Sequence, residues 1–439
     1  MRRIGIREED KYVQERRVPI TPVHAQRLIK KYDLQIDVLH SEKRAFSDKE
    51  FLECGCNIVS DLSNNELVFG IKEVPIEKIA ANKTYVIFSH VIKGQPHNMP
   101  MLQRFMDCNC NLIDYECIVD DNNKRLIFFG RYAGLAGMIN SLWALGLRMK
   151  HLGISTPFEK LKQTHTYFSL EQAKEMVMQI GNEITRNGLP DELLPLTIGL
   201  TGYGNVSKGA QEILDLLPCI EISPEELLSL KVSKQISNRH VYKIVFHEKH
   251  IAKHKEGKTF DLQEFFTMPS HFESVFFPYI PTLSMLINCM YWDSRYDRLI
   301  TKDILEDLYK KSDLRLQVIG DITCDPNGSI EATHMGTEID NPIFVYHPLS
   351  RKPTFGYQGE GVVIMSVDIL PSELSRDAST AFADALEPFM YDIAACDFSK
   401  EFDNLTLPLP IKKALILHNG KLTPNYAYIQ SHLDKFNIN

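Results

Sequence analysis

Short apolar runs alternate with helix-like segments through roughly the first 130 residues, and this alternation constrains the fold more than any other feature of the chain. The opening run, Arg3 to Arg7, predicts a strand, and Thr21-Pro22 predicts a helix start because proline suits the first helical position. Further strand candidates lie at Ile36–Leu39, Asn57–Val59, Glu66–Gly70, Thr84–Phe88 and Leu112–Ile113. Strands that alternate regularly with helices predict an α/β fold with a parallel, doubly wound sheet.

The pattern continues with two long helices and a second strand–helix series. Ala133 to Lys150 is apolar on nearly every face, which predicts a buried helix between two lobes. The segment from Leu170 to Asn187 predicts a helix, with Ser169 and Gln172 as a capping box and Gly188 as its stop. Another strand–helix–strand unit begins at Leu196, and strand candidates follow at 285–290, 316–322 and 361–367. Between them, residues 227–258 are basic and rich in histidine, which we interpret as an insertion.

Composition bounds the classes of function. The 439 residues predict two or three domains, and the formal net charge of -8 argues against a general nucleic-acid binder. The most apolar stretch, Ala133 to Leu147, is too short and too interrupted by glycine to cross a bilayer, so we expect no membrane association. Nine cysteines, an odd number, are typical of reduced intracellular thiols. Because the chain opens directly on a strand, we expect no leader and a cytoplasmic location.

The sharpest local motif is the glycine turn that follows Leu196-Thr-Ile-Gly-Leu-Thr. The strand runs into Gly202-x-Gly204, and a helix follows through Val206 and Ile213. In such a turn the first glycine permits the tight bend and the second lets a pyrophosphate approach the backbone, where the helix N-terminus supplies free N–H groups. The third position of the usual pattern is Ser207 instead of glycine. The context predicts dinucleotide binding, and a plain strand–helix turn is the alternative.

The choice of dinucleotide depends on the strand that follows the turn. An acidic residue at the end of that strand binds the free 2′-hydroxyl of NAD and repels the 2′-phosphate of NADP. We take Cys219 to Ser223 as this strand, and Ser223 at its end is compatible with NADP(H). Glu221, Glu225 and Glu226 lie close by, so NAD(H) stays open as the less favoured choice.

Titratable side chains stand at the ends of two candidate strands, where ligands bind in open parallel sheets. Lys72 ends the strand near residue 67, and His90 ends the strand near residue 85. Lys93 and Gln95 follow His90. A single lysine or histidine at such a place is usually solvated or structural, and the proximity of a dinucleotide lobe makes a functional role more plausible.

Two groups of residues raise the question of a metal, and we expect none. Cys54/Cys56 and Cys108/Cys110 have Cys-x-Cys spacing, without the looser spacing of zinc knuckles. The histidines of the basic segment, His247, His250 and His254, would share one face of a helix. Neighbouring lysines would repel a cation there, so a solvated basic face is the better interpretation.

Several motifs in a fixed order resemble one family. They are Glu15–Pro22, Gly70–Glu73, Phe88–Gln95, Leu112–Glu116, Phe129–Met138 and Thr201–Ala210, followed by Asp321, Asp368–Pro371 and Asn419–Pro424. This series resembles lysine-forming saccharopine dehydrogenase, and most of all the lysine–2-oxoglutarate reductase half of aminoadipic semialdehyde synthase. The wider superfamily includes alanine dehydrogenase and transhydrogenase.

The resemblance implies a fold and a reaction. The fold has two Rossmann-like lobes with a cleft between them: residues 1–133 and 350–439 for substrate, and 134–349 for the dinucleotide, with a basic insertion near 228–260. The reaction joins L-lysine to 2-oxoglutarate and reduces the imine with NADPH to saccharopine, the first step of lysine degradation. The fused enzymes carry a second dehydrogenase and are mitochondrial. This chain stops at Asn439, so we expect a separate glutamate-forming saccharopine dehydrogenase to use the product.

The resemblance also assigns residues. Lys72 and His90 carry the acid/base steps, and cations nearby such as Lys93 and Arg17 favour the neutral amine of Lys72, with Glu116 and Asp368 as counter-charges. Substrate-binding positions are Arg17, Lys93, Gln95, Glu116, Lys124, Arg125 and Phe129. Cofactor-binding positions are Gly202, Gly204, Asn205, Val206, Ser223, Asp321, Asp368, Ile369 and Leu370.

Two other functions remain as alternatives. An alanine-dehydrogenase-like activity would use ammonia and pyruvate and need fewer cationic contacts. A catalytically silent NADP-binding regulatory subunit would have no need of both Lys72 and His90.

Overall fold

A computed structural model describes residues 3–230 and 236–438 of the chain. The chain divides into two compact units, Met1–Phe129 with Ser375–Asn439, and Gly130–Leu374. The sequence-based boundaries were 133/134 and 349/350. Residues 350–374 lie in the second unit because they contribute strands to its sheet.

The described residues form strands and helices in the following order. The strands are β1 Arg3–Ile6, β2 Gln35–Leu39, β3 Asn57–Val59, β4 Leu67–Phe69, β5 Thr84–Ile87, β6 Asn111–Asp114, β7 Thr197–Thr201, β8 Cys219–Glu221, β9 Val241–Phe246, β10 Ala252–His254, β11 Phe272–Ser274, β12 Met285–Asn288, β13 Val318–Asp321, β14 Ile343–His347, β15 Lys352–Phe355, β16 Val362–Met365, β17 Leu415–His418 and β18 Lys421–Leu422. The helices are α1 Pro22–Tyr32, α2 Asp48–Glu53, α3 Met99–Asp107, α4 Gly130–His151, α5 Leu170–Asn187, α6 Asn205–Leu214, α7 Pro224–Leu230, α8 Glu248–Ile251, α9 Leu262–Thr267, α10 Lys302–Lys310, α11 Ser375–Ala395, α12 Leu409–Lys413 and α13 Gln430–Ile438.

The sheet of the first unit has eight strands in the order β18-β17-β6-β5-β4-β1-β2-β3. Strands β1 to β6 are mutually parallel, and β17 returns from the C-terminal segment to pair antiparallel with β6. Successive side chains of β4 enter opposite cores, since Phe69 joins one cluster and Val68 the other. Both faces of this sheet are therefore covered, as parallel sheets require.

The sheet of the second unit also has eight strands, in the order β15-β14-β16-β13-β12-β7-β9-β8. Strands β7, β9, β12, β13 and β16 are parallel, and the hairpin β14–β15 adds two antiparallel strands at one edge. The predicted fold class is confirmed: both units are doubly wound α/β sheets of the Rossmann type.

The segment expected as a basic insertion contains an internal strand of the second unit's sheet, which corrects the sequence-based prediction. Strand β9 lies between β7 and β8 and pairs with both. Its Lys243 is 6% exposed and forms ion pairs with Asp215 and Glu221, each at 2.8 Å. Residues 231–235, which fall inside the expected insertion, lie outside the described residues.

The two long helices occur where they were expected. In α5 the Ser169 hydroxyl accepts from the Gln172 N–H, while the Gln172 side chain binds the Phe168 N–H instead of completing the box. Helix α4 is buried on most sides. Among the described residues, every helix is too short or too polar to span a bilayer.

Helices α4 and α6 approach each other so closely that two glycines are required. A Cβ on Gly134 would lie 1.9 Å from the Val206 carbonyl oxygen, and a Cβ on Gly209 would lie 2.0 Å from the Arg131 carbonyl oxygen. Gly209 therefore supplies a close approach between helices after the turn, although Ser207 occupies the usual third glycine position.

Gly209→Ala should lower the free energy of unfolding by about 2 to 3 kcal/mol, because backbone must move to admit one methyl group. Urea denaturation followed by far-UV circular dichroism measures the loss. Lys208→Ala on the same helix is the control, since Lys208 is exposed. Equal stability of the two variants would contradict the close approach.

Candidate functional site

The candidate site of the first unit lies at the carboxyl ends of four neighbouring parallel strands, β1, β4, β5 and β6. Lys72 follows β4, His90 follows β5, and Glu116 follows β6. Parallel strands bring these residues to one edge of the sheet, where open α/β sheets bind ligands. His90 has a positive φ of 50°, a left-handed conformation that is uncommon for residues other than glycine.

Glu73, next to Lys72, joins the two predicted acid/base loops. Its Oε1 lies 2.9 Å from His90 Nδ1 and 2.6 Å from the Lys11 ammonium nitrogen. Burial opposes ionisation of Glu73, but the bonds to His90 and Lys11 lower its pKa to about 2. The Lys72 ammonium nitrogen lies 5.8 Å from the Tyr12 ring centroid. Neither Lys11 nor Glu73 was among the predicted site residues, although both stand in or beside the quoted motifs.

Arg17 is buried and held on two sides. Its Nε and Nη2 donate to the two carboxylate oxygens of Glu15 at 2.8 and 2.5 Å, and its guanidinium lies 4.2 Å from the Phe129 ring centroid. Burial opposes the charge on Glu15, but Arg17 and then Lys72 lower its pKa. Within the described residues Nη1 makes no hydrogen bond, so this nitrogen can still donate to a ligand.

The other predicted substrate positions differ in exposure. The Arg125 guanidinium donates to the Glu116 carboxylate. Lys124 is exposed, and its backbone N–H donates to the Asp120 carboxylate. Lys93 is exposed. The buried Oε1 of Gln95 has no hydrogen-bond partner among the described residues, as expected of an atom that awaits a ligand or water.

The glycine turn of the second unit fits a dinucleotide. Gly202 has a φ of 80°, and a Cβ on Gly204 would meet no atom within 4 Å, so the backbone is open to a ligand. Gly204 is the N-cap of α6, and no side chain caps this helix among the described residues. Asn205 and Val206 form its first turn. Free N–H groups and the helix dipole at this end favour a phosphate.

The strand beside β7 is β9, not β8, and this corrects the expectation for the ribose. Ser223 follows the edge strand β8, so its predicted role at the adenosine ribose loses its basis. Just beyond the end of β9, the ring of His247 stacks on that of Tyr203, with 4.5 Å between the ring centroids. The Tyr203 hydroxyl hydrogen-bonds to Glu248, and the charge of Glu248 raises the pKa of Tyr203. Sequence reasoning missed Glu248 because it took the wrong strand as the neighbour of β7.

A cavity of about 290 Å³ borders this turn. Its lining combines the glycine turn and Glu248 with the aromatic side chains Phe265, Phe266, Phe272, Tyr291, Trp292 and Tyr296. The cavity is large enough for an aromatic base, and its lining residues all belong to the second unit.

Asp321, at the end of β13, belongs to a buried polar network. Its carboxylate accepts from Thr333 at 2.6 Å, Thr323 at 2.7 Å and Asn288 at 2.9 Å. Asn288 also accepts from the Thr201 hydroxyl at 2.8 Å, which ties the network to the residue before the glycine turn. Asp321 thus supports, through Asn288, the residue that precedes the glycine turn.

The remaining predicted cofactor positions follow β16. Asp368 is exposed, and its Oδ1 lies 3.7 Å from Cys324 Sγ. The side chains of Ile369 and Leu370 are buried, so their backbone is the part that can reach a cofactor.

The histidines of residues 247–254 do not share a helix face, because α8 ends at Ile251 and His254 belongs to β10. His254 Nε2, Glu264 and His271 place three possible ligand atoms within 4.8 Å of one another. However, His254 Nδ1 accepts the Glu256 N–H at 3.1 Å, which puts the proton of the neutral ring on Nε2. In this tautomer Nε2 is a donor and not a metal ligand.

Comparisons with known proteins agree with the motifs. Residues 5–136 match the family described as "Alanine dehydrogenase/PNT, N-terminal domain". The alpha-aminoadipic semialdehyde synthase of Arabidopsis thaliana is 40% identical over 97% of this chain, which spans 41% of that protein. The saccharopine dehydrogenase [NAD(+), L-lysine-forming] of Yarrowia lipolytica is 25% identical over 90% of this chain and 93% of its own length. The solved structure of an L-alanine dehydrogenase shares the fold, with a TM-score of 0.62 at 16% identity and 99% coverage of both chains.

These findings confirm the resemblance to aminoadipic semialdehyde synthase within the alanine dehydrogenase/transhydrogenase superfamily. The chain spans 41% and 47% of the length of the alpha-aminoadipic semialdehyde synthases of Arabidopsis thaliana and Mus musculus.

The low pKa of Glu73 predicts a pH dependence of stability. A carboxyl whose folded pKa is depressed stabilises the fold above its unfolded value near 4.3, and this contribution disappears as the pH falls through 2. Glu73→Gln should therefore lower the free energy of unfolding by about 3 kcal/mol at pH 7 and by little at pH 2. Urea titrations from pH 2 to 7 measure the difference. Glu77→Gln, an exposed neighbour, is the control, and parallel curves for Glu73→Gln and wild type would contradict the assignment.

Proposed function

We propose that this chain is an oxidoreductase of lysine metabolism that condenses L-lysine with 2-oxoglutarate and reduces the imine to saccharopine. The observation that carries the proposal is that Lys72 and His90 follow adjacent strands, with Glu73 joining their loops, in a chain 40% identical to an aminoadipic semialdehyde synthase.

The first chemical step needs a neutral ε-amine on the substrate lysine. This nitrogen attacks the keto carbon of 2-oxoglutarate and gives a carbinolamine, which loses water to form the imine. Lys72 takes the proton from the attacking nitrogen and returns one to the departing hydroxyl. The bound dinucleotide supplies the hydride that reduces the imine carbon. His90 exchanges a proton with the nitrogen of the product. Because Nδ1 of His90 is hydrogen-bonded to Glu73, Nε2 is the ring nitrogen that faces the substrate.

Recognition of the substrate carboxylates falls to the donors around this pair. Nη1 of Arg17 binds one carboxylate with a charge-assisted hydrogen bond. The side-chain NH₂ of Gln95 donates to another carboxylate. Lys93, Lys124 and Arg125 supply positive charge at the rim of the site. Phe129 keeps the Arg17 guanidinium in place by packing on its face.

The glycine turn holds the dinucleotide under this proposal. Gly202 and Gly204 admit the pyrophosphate, and the N–H groups of Asn205 and Val206 bind it at the start of α6. Asp368, Ile369 and Leu370 line the nicotinamide side through their backbone, while Asp321 keeps the turn in position.

An assay of oxidation of the reduced dinucleotide tests the reaction against its rivals. We expect activity with lysine plus 2-oxoglutarate and background rates with ammonia plus pyruvate. An alanine-dehydrogenase-like enzyme would reverse this preference, and a silent regulatory subunit would show neither activity.

Lys72→Met should lower turnover by roughly a hundredfold or more with the fold intact. Lys78→Met, an exposed lysine of the same segment, is the control. Near-full turnover of Lys72→Met would remove the acid/base role.

The preferred dinucleotide is NAD(H), contrary to the expectation from Ser223. Glu248 stands at the end of the strand next to β7, where a carboxylate accepts from the 2′- and 3′-hydroxyls of the ribose and repels a 2′-phosphate. The lysine-forming relative from Yarrowia lipolytica is named for NAD(+). NADP(H) is the second candidate, favoured by the cationic neighbour Lys249.

Glu248→Ser should shift the ratio of kcat/KM for NADPH to that for NADH upward by about tenfold or more, because the repulsion of the 2′-phosphate is removed. Initial rates with each dinucleotide at saturating lysine and 2-oxoglutarate give this ratio. Glu192→Ser, an exposed acid of the same unit, should leave the ratio unchanged. An unchanged ratio in Glu248→Ser would place the ribose elsewhere.

A further inference from the structure

Backbone N–H groups just beyond the end of a parallel strand have lost their ladder partners and need other acceptors. In the first unit this applies to the segments after β4 and β5, which carry Lys72 and His90. The Ile71 and Lys72 N–H groups after β4 and the Ser89 N–H after β5 donate to buried carboxylates that lie at or just beyond the ends of other strands.

Glu9, beyond the end of β1, binds the segment after β4. Its Oε1 accepts the Ile71 N–H at 2.7 Å, and its Oε2 accepts the Lys72 N–H at 2.8 Å. The Arg7 guanidinium donates to Oε2 at 3.1 Å and balances the charge. Glu9 is 5% exposed, so its orientation is fixed by packing as well as by these bonds.

Asp114, at the end of β6, binds the segment after β5. Its Oδ2 accepts the Ser89 N–H at 3.0 Å and the Ser89 hydroxyl, and its Oδ1 accepts the Glu116 N–H at 2.7 Å. Ser89 immediately precedes His90, whose φ is 50°. A left-handed residue costs about a kcal/mol or more and persists where its neighbours fix it.

We propose that Glu9 and Asp114 are positioning residues: each holds, through backbone amides, the segment that aims one member of the acid/base pair. This inference rests on the proposed roles of Lys72 and His90. The carboxylates touch the main chain of these segments and act on the reaction only through Lys72 and His90.

The chemistry of the acceptors explains why carboxylates occupy these places. Each ionised carboxylate offers two oxygens that only accept. Those of Glu9 take two N–H groups of one short segment, while Asp114 takes the Ser89 N–H and hydroxyl on Oδ2 and the Glu116 N–H on Oδ1. An amide side chain would offer one acceptor and turn its NH₂ toward the second donor. Glu9→Gln and Asp114→Asn therefore loosen one anchor each while almost preserving side-chain volume.

Amide hydrogen exchange tests the anchors without reference to activity. In Glu9→Gln the Ile71 and Lys72 amides should exchange about tenfold faster or more, while those after β5 keep their rates. Asp37→Asn is the control, since Asp37 is buried in the same sheet and accepts from Asn57 and Asn65 instead of backbone. Unchanged exchange at residues 71–72 in Glu9→Gln would overturn the anchor.

A double-mutant cycle tests the route to the reaction. Glu9→Gln should lower kcat for saccharopine formation by roughly 30-fold with KM for lysine within about threefold, because misplacement acts on the transition state. Glu9→Asp should recover part of the loss, and Asp37→Asn should leave kcat unchanged. Adding Glu9→Gln to Lys72→Met should cause little further loss. Asp114→Asn with His90→Gln forms the second cycle.

The outcomes separate the two proposals. If the two losses of a cycle add fully, or Asp37→Asn lowers kcat equally, the positioning role is overturned. If exchange responds as expected but the wild type makes no saccharopine, the proposed function fails and the anchors stand.

Discussion

Backbone amides beyond the carboxyl end of a parallel strand, and in the first turn of a helix, lack partners within their own element, and the candidate sites of the two units differ in how this need is met. The first unit fills it with its own buried carboxylates, since Glu9 binds the amides after β4 and Asp114 binds those after β5. The second unit leaves the start of α6 without a side-chain cap at Gly204. One unit is thus set to fix side chains at its sheet edge, and the other is set to accept an anion from outside.

Most strands and the two long helices follow from local patterns, because their apolar residues face cores within the same unit. Strand β9 escaped prediction for a physical reason. Lys243 interrupts its apolar run, and it is tolerated inside the fold because Asp215 and Glu221 neutralise it. These acids come from other elements, so the basic composition of the segment suggested a solvated insertion. The return of β17 to pair with β6 likewise depends on long-range pairing.

The same distinction separates the site residues that the sequence revealed from those that it hid. Lys72 and His90 stand at the ends of recognisable strands, where parallel topology alone predicts a ligand. Glu9 acquires its meaning only from the amides of Ile71 and Lys72, which lie 62 and 63 positions away. Glu248 was visible as an acid, but its significance depends on the pairing of β9 with β7. Motifs report which side chains are available, and topology decides which of them meet.

Three cations of the candidate site in the first unit are held in pairs with carboxylates, and this pairing bears on how an anionic ligand is recognised. Arg17 pairs with Glu15, Lys11 with Glu73, and Arg125 with Glu116. A buried arginine without its partner would cost several kcal/mol, so Glu15 is what allows Arg17 to be buried. A site of neutralised pairs attracts an anion through the N–H groups that the pairing leaves over, of which Arg17 Nη1 is an example. Such donors point in fixed directions, since Glu15 holds one edge of the guanidinium and Phe129 lies on its face. Selectivity then depends on where the carboxylates of a ligand fall relative to these N–H groups more than on its total charge.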